Sequence, residues 1–396
     1  MRRRTRWTLA IAAAAAVAAG TWQVHTPSRV EWEPSPLPGC AASKAAGLVL
    51  QEEDGSTVWA TQAWDVYRST GGGPFVRVAS VRPALGEAWG GYLRALRSAY
   101  GYQELLEVIA LRPDLLVAFG GGHVYRLDLA RDTQDDVLTL RYFGRGKGRG
   151  VMSRIAVDDR GDVYFGEYSD VPESHTIRVW RGTDEGRTWS TAYEFPAGEA
   201  LHVHGVEWDP YAKLLWVMTG DTDAQSRVGF SPDHGAHFTW IGQNDQRFRA
   251  CSLLFTPDAV LWATDTEDNH LLRWTRATGA IETLAAMPAQ SLYATALDEG
   301  ANLVGQSAWD GAAYLVHDDG SMQAIARFTP VAAPGHPIPG MRLARGGPDP
   351  IPWVYLNPLR TREHEAAIVR IARADVGACS PPPPRWTHRP APDEAR

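Results

Sequence analysis

Gly182-Thr183-Asp184-Glu185-Gly186-Arg187-Thr188-Trp189 and Ser231-Pro232-Asp233-His234-Gly235-Ala236-His237-Phe238 are two copies of one short pattern. Their aspartates stand 49 positions apart. Each copy has the chemistry of a tight turn between two strands. The aspartate accepts local backbone and hydroxyl hydrogen bonds, the glycine takes a conformation other residues resist, and the closing aromatic packs inward. Asp184 and Asp233 are therefore expected to hold turns. Ser69-Thr70-Gly71-Gly72-Gly73-Pro74-Phe75 reads as a worn third copy. A turn repeated at a fixed interval marks a chain built from one recurring unit.

The unit extends to both sides of these turns. Short apolar strand cores recur around Trp59, Val117, Tyr164, Trp216, Trp262, Leu303 and Val354, at intervals between 41 and 58 residues. In the third unit, β-like runs fall at 154–157, 163–165, 176–181 and 189–194. Four short strands in every 40 to 50 or so residues is the arithmetic of a β-propeller blade. The chain thus reads as all-β: a β-propeller of seven blades of four antiparallel strands, with six blades and a decorated rim as the alternative. The last blade is expected to be completed by residues near Val30 and Trp32, or closed by a cysteine clasp. Helical periodicity is scarce; 93–98 and 104–106 read as a short helical insertion before the second blade.

Composition agrees with this fold and narrows the function. The 396 residues include 16 Trp, 38 Gly and 27 Pro, many large anchors and many turns, with 44% hydrophobic content. A net charge of −7 argues against a nucleic-acid partner, which needs a concentrated basic surface. Residues 1–19 combine Arg2, Arg3, Arg4 and Arg6 with an Ala-rich apolar run, the pattern of a signal peptide. No later run is long and apolar enough to span a membrane. The mature chain is expected to be secreted or periplasmic, a monomer without a membrane span. Residues 20–39 read as a Pro-rich linker, 40–379 as the single propeller domain, and 380–396 as a Pro-rich disordered tail. Cys40 and Cys379 flank the folded region, and in an oxidising compartment they are predicted to form a disulfide joining the termini. Cys251, in an apolar strand, reads as a buried free thiol.

The two turn copies resemble the Asp-box, Ser-x-Asp-x-Gly-x-Thr-Trp, of BNR and sialidase-like repeat propellers, with Gly182 in place of the first Ser and His237 and Phe238 in place of Thr and Trp. A longer stretch, roughly 154–319, is similar to a group of bacterial BNR-repeat proteins. It is carried by Gly166-Glu167-Tyr168, His202-Val203-His204-Gly205, Trp208-Asp209-Pro210-Tyr211, Thr219-Gly220-Asp221, Gln246 with Arg249-Ala250, and Thr264-Asp265-Thr266. The resemblance implies a repeat propeller and leaves the activity open. True sialidases carry an Arg-Ile-Pro motif before the first blade and an arginine triad. The nearest string here, His336-Pro337-Ile338-Pro339, lacks the arginine, so a sialidase is not expected.

In a propeller the starts of first strands and the ends of second strands converge on one channel mouth. The second-strand ends supply Gln62, Gly120, Glu167, Thr219, Asp265, Gln306 and Asn357; the first-strand starts of blades three to six supply Arg154, His202, His204, Arg249 and Tyr293. Such a ring suits a polyhydroxylated or acidic ligand, so carbohydrate is the expected partner. His202 and His204, two apart, share one face of a strand. They have three readings: ligands of a divalent metal with Asp221 or Asp265; base and charge neutraliser in polysaccharide β-elimination; or hydrogen-bonded ties between blades. In the elimination, Arg249 holds the uronate carboxylate and Tyr293 or Tyr168 donates a proton. Glu167, Asp221 and Asp265 are alternatively the carboxylates of a glycoside hydrolase. Catalytic candidates are thus His202, His204, Glu167, Asp221 and Asp265; binding candidates are Arg249, Arg154, Tyr168, Gln246 and Tyr293. No cofactor is required by any motif, the divalent metal at His202 and His204 being the one considered. A non-catalytic glycan- or protein-binding propeller of the cell envelope is the rival reading.

Overall fold

The structure is a computed structural model that describes residues 26–83, 105–140, 154–168, 175–298, 301–306, 311–331, 340–346, 352–362, 364 and 366–382. These residues form seven antiparallel sheets, each contributing four strands to one blade of a propeller. The first (inner) strands are Val49–Asp54, Leu105–Arg112, Ala156–Val157, His202–Asp209, Leu254–Phe255, Ser291–Asp298 and Gly340–Leu343, for blades one to seven. The second strands are buried on both faces between neighbouring blades, which is why they read as unbroken apolar runs: every residue of Leu115–Gly120 is buried. The repeat-marking residues Trp59, Trp216 and Trp262 are among the largest fully buried side chains. Fourth strands face solvent and alternate instead, as in Thr188–Phe195.

Ring closure differs in detail from the sequence reading. The seventh blade is completed by Ala42–Ala46, which pairs with Ala367–Ala372, while Arg29–Val30 adds a fifth strand to the outer edge of blade one. Glu33–Pro34 extends blade seven in the same way. Residues 26–39, read as linker, thus carry two short strands. Trp32 caps the seam between these two blades, its indole N–H donating to Gly73 O at 2.7 Å and its ring covered by the Arg370 guanidinium at 4.1 Å. The Cys40–Cys379 disulfide is formed, with Cα atoms 4.8 Å apart, and Cys251 is a buried free thiol. The described end of the expected helical insertion, Leu105, opens a strand. The signal segment, 93–98, most of the C-terminal tail, Trp89, Trp309 and the Gly/Arg-rich run 144–150 lie outside the described residues. No helix among those described is long and apolar enough to cross a membrane.

Both conspicuous turns join third to fourth strands, on blades three and four. In the second, Asp233 accepts from Ser231 Oγ at 2.8 Å and His237 N at 2.9 Å, with Gly235 at φ 94°. In the first, Trp189 lies so close to Gly182 that a Cβ there would meet the indole at 2.7 Å, which accounts for glycine where the pattern has serine.

Candidate functional site

The inner strands of blades one, two, four and six are bulged near their starts, at Gln51, residue 106, His204 and residue 292. A bulge re-aims a side chain and breaks the strict alternation of a strand. In blade four it lets both imidazoles meet: His202 Nε2 and His204 Nε2 are 3.1 Å apart, with the rings stacked. Both residues are buried, at 3% and 2% exposure. Asp221, just past the end of the second strand Leu214–Gly220, closes the group, with Oδ1 3.2 Å from His204 Nε2 and Oδ2 3.4 Å from His202 Nε2. Its side chain is 37% exposed, so it forms the solvent-facing lip over the buried pair. Gly220 is obligatory here, because a Cβ would stand 2.4 Å from His204 Cε1.

The approach to blade five supplies the other side. Arg249 reaches Asp221 Oδ1 at 3.1 Å and Asp265 Oδ2 at 3.4 Å, bridging the two carboxylates. Gln246 donates to Asp221 O at 3.2 Å and Asp223 Oδ1 at 2.9 Å. The Tyr168 ring packs on His202 at 4.1 Å between centroids. Cys251, which its apolar surroundings in the sequence hid, lies within this group, its sulfur 3.4 Å from His204 Nδ1 and 3.6 Å from Asp265 Oδ2. Burial pushes the Cys251 thiol well up, and the Asp265 charge adds to it. Burial also raises the Asp265 carboxyl, against the pull of Arg249. Burial pushes Asp221 upward too, but the hydrogen bonds and charges of His202 and His204 outweigh it and hold that carboxyl well below the usual range. Donor atoms of His202, His204 and Asp221, and of His204, Cys251 and Asp265, lie close enough together to hold a metal ion.

Three sequence candidates fall elsewhere. Glu167 turns onto the third strand of its own blade, accepting from Arg178 N at 3.1 Å and Trp180 Nε1 at 3.0 Å; burial raises its carboxyl. Arg154 and Tyr293 lie deeper, in a charged plug across the channel axis. Arg154 pairs with Glu207 at 3.5 Å and donates to Ala294 O, with its guanidinium 6.0 Å from the Tyr293 ring centre. Arg342, whose guanidinium is 5.7 Å from the same ring, donates to both oxygens of Glu107, at 2.9 and 2.8 Å. Arg345 joins Glu52 and Ile155 O to the same plug. The expected ring of polar second-strand ends is likewise inward-tied: Thr219, Gln306 and Asn357 are fully buried and bond backbone or neighbouring side chains.

No protein-family model matches the chain, and no curated protein matches it in sequence. The likeness is structural. The oligogalacturonate lyase of Vibrio parahaemolyticus superposes with a TM-score of 0.58 at 10% identity, over 87% of this chain and 97% of that one. A chain of the mitotic checkpoint complex gives 0.55 at 11%, over 86% and 94%. BamB of Moraxella catarrhalis gives 0.47 at 12%, over 88% and 99%. At these identities the first two matches establish one thing, that the chain shares their propeller fold.

Proposed function

We propose that this chain is an extracytoplasmic propeller of the BNR type, a monomer whose blade-four and blade-five seam takes an acidic polysaccharide and cleaves it by β-elimination. The observation that supports this most is the cluster of His202, His204, Asp221 and Arg249: buried nitrogen donors and a guanidinium gathered beside an exposed carboxylate at one mouth. Elimination from a uronate needs positive charge on the sugar carboxylate, which acidifies the adjacent C–H, and a group that takes that proton as the C–O bond at the β carbon breaks. Arg249 supplies the charge; Tyr168, packed on His202, takes the proton and returns it to the departing oxygen. An oligogalacturonate lyase shares the fold, an analogy that makes the chemistry one a propeller can carry. The disulfide between Cys40 and Cys379 favours an oxidising compartment.

Mass spectrometry of products, after incubation with acidic and neutral polysaccharides, tests the reading. Unsaturated fragments without added water support it. Fragments carrying an added water transfer the chemistry to Asp221 and Asp265 as hydrolase carboxylates. Intact polymers throughout make this a binding propeller.

A further inference from the structure

We infer that His202, His204 and Asp221 bind one divalent transition-metal ion. The inference deepens the proposed function, since such an ion would meet the sugar carboxylate, but its basis is the geometry of three side chains. Their facing atoms crowd together: the two Nε2 atoms are 3.1 Å apart, with Asp221 Oδ1 3.2 Å from that of His204 and Oδ2 3.4 Å from that of His202. Ligand atoms around one ion with bonds of about 2.1 Å stand about 3.0 Å apart at octahedral angles and about 3.4 Å at tetrahedral ones. One ion seated between the two nitrogens and the carboxylate therefore reaches all three residues.

The hydrogen-bond geometry points the same way. Ala250 O, 3.1 Å from His204 Nδ1, can only accept. A hydrogen bond from Nδ1–H to it turns His204 Nε2 toward the Asp221 carboxylate, the orientation in which metal-ligating histidines are held. One ion satisfies both nitrogens and the carboxylate together. Arg249, which also touches Asp221, has its charge offset by Asp265. Two imidazoles and one carboxylate suit zinc or manganese better than calcium or magnesium. Asp221 is the exposed member, so the open coordination positions face solvent and an incoming ligand.

The test uses the whole protein, stripped with a chelator and titrated with Co²⁺ and Zn²⁺ in the absence of any carbohydrate. Uptake is read by elemental analysis and by the visible absorption of bound Co²⁺. The expected result is about one equivalent bound. Asp221→Asn, which keeps the volume, and His204→Gln should each weaken uptake at least tenfold, the low end for losing even an outer-shell partner. His237→Ala, at an exposed turn histidine, should bind as the wild type does. The inference is overturned if the wild type takes up no stoichiometric ion, or if Asp221→Asn and His204→Gln bind as tightly as it does. Should either variant fail to fold, the wild-type stoichiometry and spectrum decide alone. An ion bound with every polysaccharide intact keeps this inference and removes the lyase reading; cleavage unaffected by the chelator, without Co²⁺ uptake, does the reverse.

Discussion

Arg342→Met should make the stability of the propeller fall more steeply with rising pH than that of the wild type. Arg342 and Glu107 are each 6% exposed, and the guanidinium contacts both carboxylate oxygens as well as Gln51 Oε1 at 2.9 Å. Burial raises the Glu107 carboxyl, and Arg342 is the strongest influence lowering it. Removing the arginine leaves Arg345 and Arg154 as the remaining cations near Glu107, so its carboxyl must rise further. A folded-state pKa above the unfolded value gives stability that is present at low pH and lost as pH climbs through the folded value. Breaking a buried ion pair from one side costs about 3–5 kcal/mol. For a chain of this length that is roughly 5–10 °C in melting temperature, extending the few degrees per kcal/mol of smaller domains. The assay is thermal unfolding at pH 5 and pH 8. Arg342→Met should melt near the wild type at pH 5 and well below it at pH 8. The double variant Arg342→Met/Glu107→Leu should recover most of the loss, because no uncompensated charge remains. A single variant equally destabilised at both pH values, or a double variant no better than the single, refutes this account of the plug.

Glu53 offers the opposite substitution: burial pushes its carboxyl up to about 8 against the pull of Arg373, so the wild type loses stability between about pH 4.5 and 8 as Glu53 is forced to ionise. Glu53→Gln should melt higher than the wild type at pH 8 and close to it at pH 5, by a few kcal/mol over that window; equal melting curves at pH 8 would dismiss the effect. The Cys40–Cys379 bridge closes 339 residues, and Cys40→Ala/Cys379→Ala should lower stability by about 3–5 kcal/mol through greater freedom of the unfolded chain. Unchanged unfolding in reductant argues against it. Gly220→Ala places a methyl 2.4 Å from His204 Cε1 and should abolish stoichiometric Co²⁺ uptake while circular dichroism stays that of the folded protein; retained uptake would show that the imidazole can retreat freely.

Legibility followed sequence distance and repetition. The second-strand cores and the two third-to-fourth strand turns could be read because each is local and repeats; burial on both faces leaves an apolar run such as Leu115–Gly120 that no neighbour is needed to recognise. His202 and His204 were readable as a pair, and Asp221, Arg249 and Asp265 as companions, because blade arithmetic brings strand ends to one mouth. Ring closure by Ala42–Ala46 was not readable: its partner Ala367–Ala372 lies at the other end of the chain, and several N-terminal segments were equally extended. Arg154 and Tyr293 were misplaced in depth, since a strand start found to within a residue or two does not say whether a side chain lies at the mouth or across the axis. Glu167 carried no sign that Trp180 and Arg178 N would hold it. Cys251 was hidden by its apolar neighbours, although only one contact away, at 3.4 Å, is His204.

The concentration of chemistry at one seam has a physical cause. Six of the seven blades bring a polar residue to the end of the second strand or close by, and its fate is decided by what the next segment offers. Gln306 meets Ala289 N at 2.6 Å and Ser291 Oγ, and Asn357 meets Leu50 N at 2.9 Å, so both amides are saturated locally. After the second strand of blade four the chain instead turns at Asp221 and faces His204, His202 and Arg249, which are side chains and titratable. Below them, Glu207, three residues along the same inner strand as His204, is already engaged with Arg154 in the axial plug. The plug crosses the axis and the strand ends at Gln306 and Asn357 are satisfied, so the proposed function places a ligand's charged group at the exposed Asp221 lip. A ring of equivalent sites, as the sequence first suggested, would require seven seams with unspent polar groups; hydrogen-bond saturation by the backbone leaves the seam between blades four and five as the one where chemistry gathers.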